Sequence, residues 1–196
     1  MRALIPGLML CLLCLLWPLA AQAATPRHVT DAAAPRTVGT DGPVLVQWGD
    51  PAKFTELTHS GNRWEAARGN WVFELAEHLA SQASPRLADG QRLEVDIVDI
   101  DLAGDYEPWR GPRLSDTRYV RDIYPPQITL SYRLLDAQGQ VLESQQQTLR
   151  DLGFLHGSGS MVRYRNDSLR HEKRLIDRWL QQALPATSGQ LAQGRK

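Results

Sequence analysis

The chain has 196 residues, with 22 Lys and Arg against 22 Asp and Glu, a formal net charge of zero, and two cysteines. Cys11 and Cys14 both lie in an apolar amino-terminal run, so the rest of the chain has no thiol for a disulfide, a thiolate metal site or a cysteine nucleophile. The balanced charge, with no Lys/Arg block interleaved with aromatics, argues against a nucleic-acid partner.

Residues 1–23 have the three parts of a secretory signal: Arg2, an apolar stretch from Leu4 to Leu19, and the small-residue pattern Ala21-Gln22-Ala23. The apolar stretch is short for a bilayer span and is interrupted by Pro6 and Pro18. Leu10 precedes Cys11 and Leu13 precedes Cys14, where a lipid anchor needs a small residue. The expectation is an exported protein, not a lipoprotein, with no membrane span after cleavage at Ala23 or Ala24. Its mature form then carries 21 basic and 22 acidic side chains.

Residues 24–43 have little apolar periodicity and read as a flexible lead, and 185–196 as a flexible tail. Between them, 44–184 are enough for one domain with a core of its own. Val44–Trp48 reads as a strand that ends at Gly49-Asp50-Pro51, with Asp50 as an N-cap and Pro51 at the first helical position of a turn carrying Phe54 and Leu57. Asn62 with Glu65 resembles a capping box. Trp64, Ala67, Trp71, Leu75 and Leu79 then recur at helical spacing, which predicts a helix from there to about Gln82 with Gly69 inside it.

"RLEVDIVDIDL" is a strand whose apolar residues change parity: Leu93, Val95 and Ile97 on one, then Val98, Ile100 and Leu102 on the other. Side chains alternate strictly along a strand, so a bulge near Ile97-Val98 would put Glu94, Asp96, Asp99 and Asp101 on one common face; without it both faces are part-buried. "QITLSYRL" alternates with Ile128, Leu130, Tyr132 and Leu134 inward. Asp136 to Gly139 makes a hairpin connection, and "QVLESQQQTLRDL" returns with a polar outer half. A last helix, capped by Asn166 or Asp167, has Leu169, Ile176, Trp179, Leu180 and Ala183 on its apolar side. The order is strand–helix–strand–strand–strand–helix. It predicts a single α+β domain, a mostly antiparallel sheet with two main helices packed on it and a first strand–helix–strand unit suited to a parallel crossover.

Asp99, Asp101 and Gly104 occupy positions one, three and six of a calcium loop, but position five is Ala103 and position twelve, which needs a bidentate Glu, is Arg110. His171-Glu172 starts a zinc-peptidase motif that fails where Leu175 stands for the second His, which leaves both as solvated or charge-paired helix residues. Ser158 lacks the flanking glycines of a nucleophile elbow, having His156 and Ser160 instead, and no phosphate-binding Gly-rich loop is present. No catalytic residue and no cofactor are assigned.

The connection from Gly104 to Pro126 alternates Tyr106, Trp109, Tyr119 and Tyr124 with Arg110, Arg113, Arg118 and Arg121, the mixture that binding surfaces favour. A compatible reading makes Tyr119, Val120, Ile123 and Tyr124 an additional strand.

"WGDPAKFTEL", "DIDLAGDYEPW", "VRDIYPPQITLSYRLLDAQGQVL" and "HEKRLIDRWL" together resemble the bacterial DUF3016 family of exported proteins over residues 44–184. The resemblance implies a periplasmic protein and carries over no activity, ligand or catalytic residue. Three readings follow. One is a non-enzymatic binding or envelope-assembly domain, with Tyr106, Trp109, Arg110, Arg121 and Tyr124 meeting an envelope protein or small ligand. The second is a carboxylate-dependent hydrolase or divalent-metal protein centred on Asp99, Asp101 and Asp105, and the third a structural domain whose distinctive residues only build the fold.

Overall fold

The computed structural model describes residues 27–156, 164 and 166–185. The segment expected to be a signal, the Ser158 region and the tail beyond Pro185 lie outside the described residues. In chain order the elements are β1 (Thr37–Val38), β2 (Val44–Trp48), α1 (Thr55–His59), α2 (Arg63–Ala66), α3 (Trp71–Ala83), β3 (Arg92–Asp101), β4 (Asp105–Tyr106), β5 (Arg118–Tyr119), β6 (Gln127–Leu135), β7 (Val141–Arg150) and α4 (Arg170–Ala183). The main sheet has the order β1-β2-β3-β6-β7, and β4 and β5 form a separate two-stranded ribbon. β2 and β3 run parallel and every other neighbouring pair is antiparallel, which makes this an α+β domain with one parallel step.

The core forms where α3 and α4, which contact each other, also contact the sheet at β2 and β7. Val44, Val46, Leu93, Val95, Ile97, Ile100, Ile128, Leu130 and Tyr132 supply the sheet's apolar side. Leu75, Leu79, Ile176, Trp179 and Leu180 supply the helical side. The parity change in β3 is resolved by a bulge: Ile97 pairs with Leu130 and Asp99 with Thr129, which leaves Val98 out of register and exposed. Ile100 then returns to the core while Asp99 and Asp101 join Glu94 and Asp96 on the other side. Asp50 caps the turn at Pro51 by accepting the Ala52 N–H at 3.1 Å. Gly139 takes φ of 80° in the β6–β7 hairpin, and Asp136 accepts the N–H groups of Gln138 and Gln140.

The structure departs from the expected elements at three places. The helix predicted from Asn62 onward is broken: Asn62 caps only the short α2, and α3 starts afresh at Trp71. Gly69 stands between them with φ of 84°, and its N–H donates to Arg27 O at 2.8 Å while Val29 N–H donates to Ala67 O at 2.9 Å. Within residues 24–43, read from the sequence as a flexible lead, His28 bridges to Arg68, Val29 is buried, and Thr37–Val38 add β1 to the sheet edge. Trp64 lies outside the core and packs against His28 in a tilted arrangement, with ring centroids 4.8 Å apart. The additional strand expected over Tyr119–Tyr124 is reduced to β5, because Tyr124 N–H closes a turn on Arg121 O. At α4, Asp167 accepts the N–H of Leu169 at 2.8 Å one turn ahead of the helix.

Candidate functional site: two buried carboxylate clusters around the 102–126 segment

β2 pairs with β3 only as far as Ile97, so the end of β3 runs past its parallel neighbour and is flanked by α1. Asp99 holds that helix by accepting the Thr55 N–H and hydroxyl, both at 2.6 Å. The chain then turns through Leu102-Ala103-Gly104, and each of the three N–H groups has a distant acceptor. Leu102 donates to Glu56 Oε2 at 3.0 Å, Ala103 to Glu172 Oε1 at 2.7 Å and Gly104 to Tyr124 O at 3.0 Å. Gly104 is required, since it has φ of 83° and an added Cβ would sit 2.7 Å from Tyr119 O. Glu56 comes from α1 and Glu172 from α4, so one turn ties both helices to the end of the sheet.

Glu56 is ion-paired to Arg118, whose guanidinium also donates to Gly104 O at 2.6 Å and lies 4.9 Å from the Tyr106 ring centroid. Burial pushes the Glu56 carboxyl up to about 7 against the opposing pull of Arg118 and the Leu102 N–H. Asp101 is pushed up to about 6 by burial and by Asp99 and Asp105, with Arg118 acting against them. Glu172 is 1 % exposed, and burial raises it as well, with the Ala103 N–H as its strongest counterweight. Its Oε2 has no hydrogen-bond partner among the described residues.

The second cluster centres on Glu107, which is 0 % exposed. Arg110 pairs with it, Arg121 donates at 2.7 Å and the Tyr124 hydroxyl at 3.2 Å. Its cover consists of these partners, not the core, and the bond from Arg110 leads those from Arg121 and Tyr124 in holding the carboxyl below its usual range. Arg110 also lies 4.6 Å from the Tyr119 ring centroid, which ties β5 into the same knot. Trp109, 71 % exposed, together with Leu114, Val120 and Ile123 projects from the braced segment.

The structure therefore divides the predicted contact set. Arg110, Arg121 and Tyr124 converge on Glu107, Tyr106 is buried beneath Arg118, and Trp109 is the most exposed of the five, with the Arg110 and Arg121 side chains also partly open to solvent. Of the three predicted metal ligands, Asp99 is taken up by Thr55. Asp105 Oδ1 accepts from Gly61 N–H at 3.2 Å and Tyr106 N–H at 2.7 Å. Among the described residues no three His, Cys, Asp or Glu side chains are placed to hold a metal ion. His171 and Glu172, read as solvated or charge-paired, are both buried. His171 is held neutral, down at about 4, by burial, and it packs edge-on against Phe154.

Sequence reasoning missed Glu56, Glu107, Arg118 and Glu172 as the organising residues. For Glu172 a signal existed, because it stands three residues after Leu169 and four before Ile176, inside the apolar stripe of α4. A family model described as "Protein of unknown function (DUF3016)" matches residues 42–182. The chain belongs to the DUF3016 family. No curated protein and no solved structure matches it. The DUF3016 match spans both glutamate clusters and the whole 102–126 segment, so these are features of the family's region of the chain.

Two cavities adjoin the 102–104 turn. One, of about 150 Å³, is lined by Glu56, His59, Asp101, Asp105 and Tyr124. The other, of about 220 Å³, is lined by Trp71, Tyr106, Arg118, Leu169 and Glu172. Chemically, the Glu107 side can hold a loop in one shape. The Glu56 and Glu172 side holds carboxyls poised to change charge.

Proposed function

We propose that this DUF3016 protein is an exported periplasmic binding domain, without catalytic chemistry of its own, that offers its 104–126 segment to an envelope protein. The observation that supports this reading is the conjunction at Glu107. A buried carboxylate with three donors locks a segment whose outer side exposes Trp109, Leu114 and Ile123. A rigid loop loses little conformational freedom on association, and Trp is the residue type that most often dominates binding energy. In this reading Trp109 and Ile123 make the contact, while Arg110, Arg121 and Tyr124 act as braces for it. The carboxylate-centred alternative loses support because the side chains of Asp99 and Asp105 are engaged by amide and hydroxyl donors of the fold.

The test compares pull-downs from envelope extract with wild type and with Trp109→Ala plus Ile123→Ser. A partner retained by wild type and lost from the folded variant supports the surface, and identical profiles reject it. Export is checked by fractionation and by the mature amino terminus, expected at Ala24 or Thr25.

A further inference from the structure

We propose that β7 is a self-pairing edge, at which two copies of this chain join antiparallel about a twofold axis near Gln146 and make one continuous sheet. This surface is separate from Trp109 and Ile123 and stands independently of the reading given to them.

The first ground is an edge left open. β7 is the outermost strand of the main sheet, and among the described residues β6 is its one strand neighbour. The opposite edge is blunted, since β1 is only 2 residues long against 10 for β7. Val141 to Gln146 are exposed without interruption, so both faces of that half of the strand meet solvent. Proteins usually protect a long edge with Lys, Pro or a bulge. β7 has no Lys and no Pro, Ser144 to Thr148 carry no charge, and its one register shift lies at the start, between Val141 and Glu143. Two such strands would exchange about ten backbone hydrogen bonds, the number a typical protein interface carries.

The second ground is that the two ends of the strand complement each other in reverse. Glu143, near the start, and Arg150, at the end, are its only charged residues. Antiparallel pairing brings the acidic end of one copy to the basic end of the other, whereas parallel pairing would set like against like. Val141 and Leu142 at the start and Leu152 just past the end are each more than half exposed. The centre between them falls at Gln146-Gln147. The same reversal therefore sets Val141 and Leu142 of one copy beside Leu152 of the other and covers apolar surface that the monomer leaves in water. Any extended segment can satisfy the backbone groups; mirrored charges and mirrored apolar ends together are supplied by a second copy, as in an isologous twofold contact.

The third ground is order before association. β7 pairs along the whole of β6. Its side chains are held on both faces: the Thr148 and Thr129 hydroxyls lie 3.0 Å apart on one, and Gln147 Oε1 accepts the Trp179 Nε1–H at 3.0 Å on the other. Little conformational freedom is left to lose on docking.

The experiment measures molar mass by sedimentation equilibrium over a concentration series. It compares wild type, Gln146→Lys, Gln146→Glu, an equimolar mixture of those two variants, and Leu152→Ser. Wild type should show a reversible monomer–dimer equilibrium. Each charged variant should dissociate about tenfold or more readily, because like charges meet near the axis, and the mixture should associate again as Lys faces Glu. Leu152→Ser should weaken the dimer by a smaller factor. A wild type that stays monomeric throughout overturns the proposal, and that is the result expected if the edge serves a different protein. Open-ended aggregation, unchanged affinity in both charged variants, or a mixture that fails to associate overturns it equally. If the Gln146 variants do not fold, Leu152→Ser decides: a weakened dimer supports the pairing, and an unchanged one rejects it.

Discussion

Glu107 and Glu172 are the same residue type, both closed to solvent and both in contact with the 102–126 segment, yet they are opposite in state. Glu107 receives Arg110, Arg121 and Tyr124 and is held below the usual carboxyl range. Glu172 accepts the Ala103 N–H, keeps one oxygen without a hydrogen-bond partner among the described residues, and is pushed above that range by burial. Loss of solvent access alone does not set the charge of a carboxyl; the donors that replace water do. The first arrangement favours the charged carboxylate and the second the neutral acid.

The largest test of this contrast is Arg118→Ala. It deprives Glu56 of its ion partner and makes it resemble Glu172, and removing one member of a buried pair costs about 3–5 kcal/mol. Denaturant unfolding at pH 8 should show that loss, and at pH 5, where Glu56 is protonated and no longer needs a cation, the loss should shrink. A loss independent of pH would separate Arg118 from the charge of Glu56.

Next in size is the pH dependence of stability itself. Glu56 rises from 4.5 to about 7 on folding, so the native state holds the proton more tightly. Its contribution is fully present below pH 4.5 and is lost as pH rises through about 7, by an amount on the order of 3 kcal/mol. Glu172 acts in the same direction. Glu107 acts in reverse, since its depressed value gives stability present above the unfolded value and lost as pH falls through the folded one. Relative to Glu172→Gln, wild type should therefore weaken as pH rises above 4.5, whereas relative to Glu107→Gln it should strengthen over the carboxyl range. Parallel profiles for the two variants would erase the comparison.

Gly104→Ala comes third. A Cβ there meets Tyr119 O at 2.7 Å and requires a left-handed backbone, so a loss of about 1–3 kcal/mol is expected in denaturant unfolding. The smallest stability effect belongs to Trp109→Ala, whose side chain is 71 % exposed; its unfolding free energy should stay within about 0.5 kcal/mol of wild type. A larger loss would make Trp109 part of the fold and weaken its reading as a contact.

What the sequence revealed followed the range of the interaction concerned. The bulge at Val98, the alternation of Ile128, Leu130 and Tyr132, the Gly139 hairpin and the α4 stripe are local patterns in which burial selects the residue type. The break at Gly69 was not legible, because it depends on pairing with Arg27 and Val29, some forty residues away. Glu107 and Arg121 are 14 residues apart, and Glu56 and Arg118 are 62 apart, so only the folded chain brings each acid to its base. Composition marked the 104–126 segment as unusual but did not separate braces from contacts, since Arg and Tyr serve both purposes. Glu172 was readable from its position in the stripe, where an acid among apolar residues signals a buried partner or an open site.

The most direct measurement of the central contrast is a carbon-13 NMR titration of the glutamate side-chain carboxyls in the protein. Glu107 should titrate below the ordinary glutamate range and Glu172 above it, each assigned by loss of its resonance in the Gln variant. Coincident titration of the two, or the reverse order, would contradict the account.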